Sequence, residues 1–258
     1  GQELYNLSDS VARTMSYCPQ QNALFGMLTT RECLEFYCRI RGVPEDLLTV
    51  YAEEWMDACD LRKHEHTWCA DLSGGNKRKL SLAIALVGNP SFVVLDEPSA
   101  GVDPAARRKL HGLINLTKRR GATIILTTHH MDEAQSLGDR IGIMVKGYLC
   151  CLGTVQHLLH KYSNGYLLTC CMIEGFPVND YLLPEVLEVC PQAKIIMVSG
   201  DYYCSVALGD SKGFSIAKVY ALLTKMSGDK VNYFTVGQSR IEDVFLHFTE
   251  KLLKPSSR

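Results

Sequence analysis

Two adjacent carboxylates, Asp96 and Glu97, end the apolar run Phe92-Val93-Val94-Leu95 and are followed at once by Pro98. A buried strand that delivers acids to the carboxyl edge of a sheet puts them where open α/β folds bind ligands. In phosphoryl-transfer sites the first such carboxylate helps hold Mg2+ through its water shell, and the second can orient or deprotonate the attacking water. Upstream, Leu72-Ser73-Gly74-Gly75-Asn76 supplies a second device. Its glycines let the backbone approach an anion, and Ser73 adds a hydroxyl. The helix expected behind them offers free N–H groups and the positive end of its dipole. Each feature alone has a plain reading, because acids often solvate strand ends and Ser-Gly-Gly is a common loop. A glycine loop that runs into a long helix and then an acidic strand end is rarer, and it suits phosphate chemistry.

These groups need a scaffold, and the pattern supplies one. Met15-Ser16-Tyr17-Cys18 reads as a strand stopped by Pro19, with Gln20, Gln21 and Asn22 in the following loop. Thr29-Thr30-Arg31-Glu32 has the form of a capping box that opens a helix ending at Gly42 and Pro44. A second helical stretch follows over Glu45–Ala58, so residues of about 28–88 predict a helical subdomain. Next come a helix (Lys77–Val87), a strand (Phe92–Leu95), and a helix capped by Asp103 with Pro104 in its first turn. Strand Thr123–Thr127, a short helix from Met131, strand Ile141–Val145 and a Lys146-Gly147 turn into Tyr148–Cys151 complete the alternation. It predicts an α/β fold whose mostly parallel sheet is covered on both faces. Beyond Thr154–Tyr162 the order becomes βαββαβ, as in a ferredoxin-like α+β sandwich, and Ser239-x-x-Glu242 predicts the cap of a last helix. The boundary is placed between residues 155 and 156, and Lys254–Arg258 reads as a frayed tail.

Composition narrows the partners. Among 258 residues, 27 Lys and Arg face 28 Asp and Glu, a net charge of −1 that gives no electrostatic footprint for nucleic acid. The basic runs Lys77–Lys79, Arg107–Lys109 and Lys118–Arg120 read as solvated helix faces. No apolar run reaches the roughly 18 residues of a membrane-spanning helix. Eleven cysteines without a C-x-x-C spacing read as reduced thiols of a cytosolic chain, mostly buried. Cys59, His64, His66 and Cys69 lie close together, and a zinc site there is weighed against ordinary loop and core residues.

The order of motifs resembles the nucleotide-binding domain of an ATP-binding cassette (ABC) transporter. Cys18-Pro19-Gln20 resembles the Q-loop, Leu72–Asn76 the signature loop, and Phe92–Pro98 the Walker B strand. Ser99-Ala100-Gly101-Val102-Asp103 resembles the D-loop and Thr127-Thr128-His129 the switch histidine. The stretch Gly75–Ser81, Asp103–Arg108 and the segment Ile241–Phe248 are similar to the A subfamily, the large lipid exporters, with the second cassette and its regulatory domain matching best. The resemblance implies ATP and Mg2+ as cofactors. It assigns Glu97, His129 and Gln20 to catalysis, Asp96 and Gln20 to the metal, and Ser73, Gly74, Gly75 and Asp103 to ATP shared with an opposing cassette. His130 is expected to face solvent.

It also implies a second nucleotide-binding domain and transmembrane domains as partners, a lipid substrate reached through them, and a place at the cytosolic face of a membrane. One departure stands out: no Gly-Lys dipeptide occurs, so the G-x-x-x-x-G-K-[ST] phosphate loop is missing from these residues. The expectation is a soluble fragment that begins partway through a cassette and is inactive alone. A truncated non-catalytic interaction or regulatory module, and a cassette ATPase acting on DNA or ribosomes, stay open as alternatives.

Overall fold

The computed structural model describes residues 14–162, 165–209 and 214–253, so the tail Lys254–Arg258 lies outside the described residues. The chain divides into two compact units, one ending at Gly138 and one beginning at Asp139.

In the first unit β1 (Met15–Cys18), β2 (Phe92–Asp96) and β3 (Thr123–Thr127) form a parallel sheet in the order β1-β2-β3. Cys18 is in register with Leu95 and Asp96 with Thr127. The helices are α1 (Thr30–Ile40), α2 (Leu48–Ala58), α3 (Gly74–Leu86), α4 (Pro104–Arg119) and α5 (Met131–Leu137). Their starts follow local chemistry. Thr29 caps α1 in a complete box, in which the Thr29 N–H donates to Glu32 Oε2 at 2.8 Å. Ser73 caps α3 and Asp103 caps α4, which has Pro104 in its first turn. Leu34 and Met56 from the helical layer pack in one core with Leu80, Leu82 and Leu86 of α3, Val93 and Leu95 of β2 and Leu110 and Ile114 of α4. Each buried side chain of this size contributes roughly 1.5–3 kcal/mol. The helical subdomain and the sheet therefore stand on the same core.

The sheet is smaller and barer than the sequence predicts. β3 alternates exposed and half-buried residues, with Ile125 52% exposed. The strand at Ile141–Val145 (β4) does not join it, and pairs antiparallel with β5 (Tyr148–Gly153) instead. The cause is the turn between them: Lys146 and Gly147 both have positive φ, 50° and 83°, the conformation that folds a two-residue hairpin back on itself.

The second unit carries this hairpin, α6 (Val155–Tyr162), β6 (Tyr166–Met172), α7 (Leu183–Val189), β7 (Lys194–Ser199), β8 (Tyr203–Gly209), α8 (Ile216–Met226), β9 (Val231–Gln238) and α9 (Ile241–Leu253). The four later strands form an antiparallel sheet in the order β7-β8-β6-β9. Leu168 and Cys170 of β6 and Cys204 and Val206 of β8 point one way, against Val186 of α7 and Val219 and Leu223 of α8. Because α9 packs on α6 and β4, the hairpin belongs with the second unit, and the units part at Gly138 rather than near residue 155. The cap of α9 is also displaced by one residue. Ser239 is held through its N–H to Gly165 C=O, its Oγ has no partner, and Asp243 accepts from Arg240 N–H at 2.6 Å instead.

All eleven cysteines are free, and only Cys150 and Cys171 are even half-exposed. The zinc reading fails. Cys59 is sealed in the core, Cys69 lies against Cys33 of α1, and His66 is exposed beside Glu65. Among the described residues no three His, Cys, Asp or Glu side chains gather as a metal site. Burial pushes the Cys59 thiol from 9.0 to about 12 and that of Cys204 to about 11. Folded thiols thus keep their protons where unfolded ones lose them, so stability should fall as pH rises above 9 towards the folded-state values. Urea titrations from pH 8 to 10.5 should show that fall, and a thiol reagent on the native chain should modify Cys150 and Cys171 first; equal reactivity of all eleven would contradict the packing.

Candidate functional site

Asp96 closes β2, and the hydroxyl of its register partner Thr127 donates to Asp96 Oδ1 at 2.5 Å. Glu97 leaves the strand with φ +52°, a left-handed conformation that costs a non-glycine residue about 1 kcal/mol. Its N–H donates to Thr127 C=O at 3.0 Å, which turns the carboxylate back over the sheet edge. Glu97 is 13% exposed, and its Oε2 lies 2.7 Å from His129 Nδ1. That contact is close but poorly aligned as a hydrogen bond, and Oε2 is otherwise an unsatisfied buried acceptor. His129 is exposed. His130, expected to face solvent, is half-buried with its ring 4.1 Å from that of His129.

The residue that gathers these pieces is one the sequence reading placed in solvent. Arg78, in the second turn of α3, is 2% exposed. Its Nε donates to Glu97 C=O at 2.9 Å and its Nη2 to Asp96 C=O. Nη1 reaches Pro19 C=O at 2.5 Å, Gln20 C=O at 3.2 Å and Asn22 Oδ1 at 3.3 Å. A single guanidinium therefore clamps the Gln20 loop to the acidic strand end. Burial pushes the neighbouring Cys18 thiol up to about 11, with Arg78 pulling it down and Asp96 pushing it up, so both charges bear on this spot. Lys79 is buried too, its ammonium 3.9 Å from Asp60, so only Lys77 of the run Lys77–Lys79 is left outside the buried class. A signal existed: from its second turn onward α3 is apolar on nearly all sides, through Leu80, Leu82, Ala83, Ala85 and Leu86, so a cation there has no wet face.

The glycine loop lies at the head of the same helix. Ser73 Oγ accepts from Asn76 N–H at 3.3 Å. A Cβ on Gly74 would meet nothing within 4 Å, whereas one on Gly75 would come within 3.3 Å of Gly101 C=O, so this loop touches the Ser99–Asp103 loop. Asp103 Oδ1 accepts from Ala106 N–H and Ala105 N–H, and those bonds, Ala106 first, hold its carboxyl below the usual range. The structure thus brings Gln20, Asp96, Glu97 and His129 to one sheet edge, and joins Ser73–Gly75 to the loop before Asp103.

A family model for ABC transporters matches residues 1–100, and a second, for an AAA domain of a type IV toxin–antitoxin system, matches residues 69–133. The chain carries an ABC transporter domain. Its homologues include human retinal-specific phospholipid-transporting ATPase ABCA4, 37% identical over 252 residues, which cover 96% of this chain and 11% of that protein. Rat phospholipid-transporting ATPase ABCA3 is 37% identical, with 95% of this chain and 15% of that protein covered. Rat ATP-binding cassette sub-family A member 7 is 37% identical, at 92% and 11%. The chain thus spans a small part of the length of these ABCA relatives. Among solved structures, an ATP-binding subunit of an ABC transporter aligns with a TM-score of 0.57 at 26% identity, covering 63% of this chain and 68% of that one. A dimeric ATP-binding cassette in a post-hydrolysis state, bound to ADP and Pi, aligns at 0.52 and 23% identity, covering 58% and 68%, and shows the shared fold.

The two glycines of the ABC domain should respond differently to a methyl group. Gly74→Ala should leave stability unchanged or slightly higher, whereas Gly75→Ala should cost about 1–3 kcal/mol relative to it, because the methyl crowds the Gly101 carbonyl. Urea denaturation of both variants measures this, and equal stabilities would remove the contact between the two loops.

Proposed function

We propose that this chain is the ATP-hydrolysing portion of an ABCA-type nucleotide-binding domain, followed by a ferredoxin-like regulatory domain, which in its full-length protein powers lipid movement across a membrane. The observation that carries the reading is the contact of His129 with the turned-back carboxylate of Glu97, one residue beyond an Asp96 that Thr127 already orients. The phospholipid-transporting names of two relatives support the lipid assignment. The strand order β7-β8-β6-β9 supports the regulatory-domain assignment.

Glu97 serves as general base toward the attacking water, and His129 holds the Glu97 carboxylate while its other face stays open to a terminal phosphate. Asp96 and the amide oxygen of Gln20 form an all-oxygen donor pair suited to Mg2+, which takes one or two protein oxygens and completes its shell with phosphates and water. Bound Mg2+ would neutralise charge on the transferring phosphate. Ser73, Gly74 and Gly75 meet the nucleotide of a second cassette, with Asp103 between the two sites. Phe25, Phe36 and Tyr37 pack ring to ring beside the Gln20 loop in an exposed cluster, and Met27 is 86% exposed. This face suits docking by a cytosolic segment of the membrane domain. No helix among the described residues is long and apolar enough to cross a membrane.

Residues 1–258 alone bind ATP weakly and do not hydrolyse it, because they lack the phosphate loop motif. Titration of the purified chain with Mg·ATP should show no binding tighter than millimolar. Joined in frame to the upstream cassette segment of a relative it should hydrolyse ATP, and Glu97→Gln should then lower the rate by roughly 10²–10⁴-fold. Tight binding by the chain alone would refute its inactivity, and an undiminished rate in the variant would refute the role of Glu97.

A further inference from the structure

The helix that follows Asp103 is the most lopsided in charge of the whole chain. No carboxylate occurs between Asp103 and Asp132, whereas Arg107, Arg108, Lys109, Lys118, Arg119 and Arg120 all fall there, in a sequence whose net charge is only −1. Some of these cations have internal work: Lys118 donates to the Leu137 C=O at the end of α5, and Arg120 to Asn89 Oδ1. Lys109 and Arg119 instead flank a groove of about 550 Å³ along the outer side of α4. Between them Gly112, Leu113, Asn115 and Leu116 of α4 and Ala58 of α2 line it, mostly with apolar surface. Leu116 is 45% exposed, and a Cβ on Gly112 would meet nothing within 4 Å.

The acids nearest the groove do not neutralise it. Asp57 is held by Arg62 at 2.9 Å. Asp60 is shared between Lys79 at 3.9 Å and Lys109 at 4.0 Å, which leaves Lys109 a distant and divided partner. The uncompensated charge is therefore positive, and it sits at both ends of an apolar floor. Lys109 and Arg119 lie ten residues apart on one helix, about 15 Å at 1.5 Å per residue.

We propose that this groove docks an acidic amphipathic peptide segment of a partner protein. An apolar side chain lies over Gly112 against Leu113 and Leu116, and carboxylates about 15 Å apart meet Lys109 and Arg119. Two cations at the ends of the groove are fewer than the roughly four to eight clustered Lys and Arg that hold a protein on an anionic membrane. The leucine floor between the charges disfavours a phosphate backbone, which wants an unbroken cationic track. The assignment rests on charge and shape in the first unit and is independent of the ATPase reading.

The test is fluorescence anisotropy with the full chain and a labelled helical peptide that carries glutamates ten residues apart with two leucines between them. Binding should weaken at least tenfold when the glutamates become glutamines. It should weaken at least tenfold again with Arg119→Glu, and with Gly112→Phe, which fills the groove without changing its charge. Lys194→Glu, the same charge change on the exposed strand β7, should leave it unchanged. Equal binding of the glutamate and glutamine peptides, or equal weakening by Arg119→Glu and Lys194→Glu, would overturn the proposal. So would tighter binding, through the same residues, of phosphatidylserine vesicles or a DNA duplex.

Discussion

A guanidinium taken out of water must have its charge and its five N–H donors met, and Arg78 is met by oxygen atoms from the two segments that hold the candidate catalytic groups. Among the described residues no carboxylate is within ion-pair reach of it, so main-chain dipoles of Pro19, Gln20, Asp96 and Glu97 carry most of the compensation. That arrangement fixes backbone rather than side chains. It leaves the Asp96 and Glu97 carboxylates and the Gln20 amide free for chemistry while their main chain stays put. Because Arg78 sits one turn behind Ser73–Gly75, it also links the N-terminal end of α3 to the same point.

Strain is placed where this clamp can hold it. Glu97 adopts a left-handed backbone conformation, and Arg78 bonds the carbonyl of that residue while Thr127 C=O accepts its N–H. The same Thr127 orients Asp96 through its hydroxyl, so one residue of β3 supports both acids. Substituting Thr127 would remove the hydroxyl that orients Asp96 and leave the carbonyl that accepts from Glu97 N–H. The adjoining segment is held more lightly, with Thr128 Oγ accepting from His130 N–H and His129 left exposed.

Much of this was legible in the sequence. Helix starts at Thr29 and Asp103 follow from short-range hydrogen bonding, and the strand ending in Asp96 follows from its apolar run, so local rules suffice there, whereas α3 begins at Gly74, before the Lys77 expected. What was not legible depends on distant partners. Arg78 lies in a basic run that reads as surface; only the apolar wrapping of α3 betrays its burial, and its acceptors lie about sixty residues upstream as well as in β2. The Lys146-Gly147 turn is legible, but not that the strand before it leaves the parallel sheet to pair with β5. The zinc reading counted Cys and His by proximity in sequence, whereas Cys59 and Cys69 point into the core. Ser239 shows the reverse failure, a correct short-range motif overruled when the Gly165 carbonyl, just before β6, claims the N–H of the capping residue.

The most direct test of the account is amide hydrogen exchange of Arg78→Met, compared with the unsubstituted chain at equal temperature and pH. Loss of the buried fork should cost about 3–5 kcal/mol and strip protection from the Glu97 and Ala100 amides, while limited proteolysis of the same variant opens new cuts at Gln20–Asn22 and Val94 and Leu126 in the sheet keep their protection. If only one of the two segments loosens, or if both stay as before, Arg78 is not the link that holds the site together.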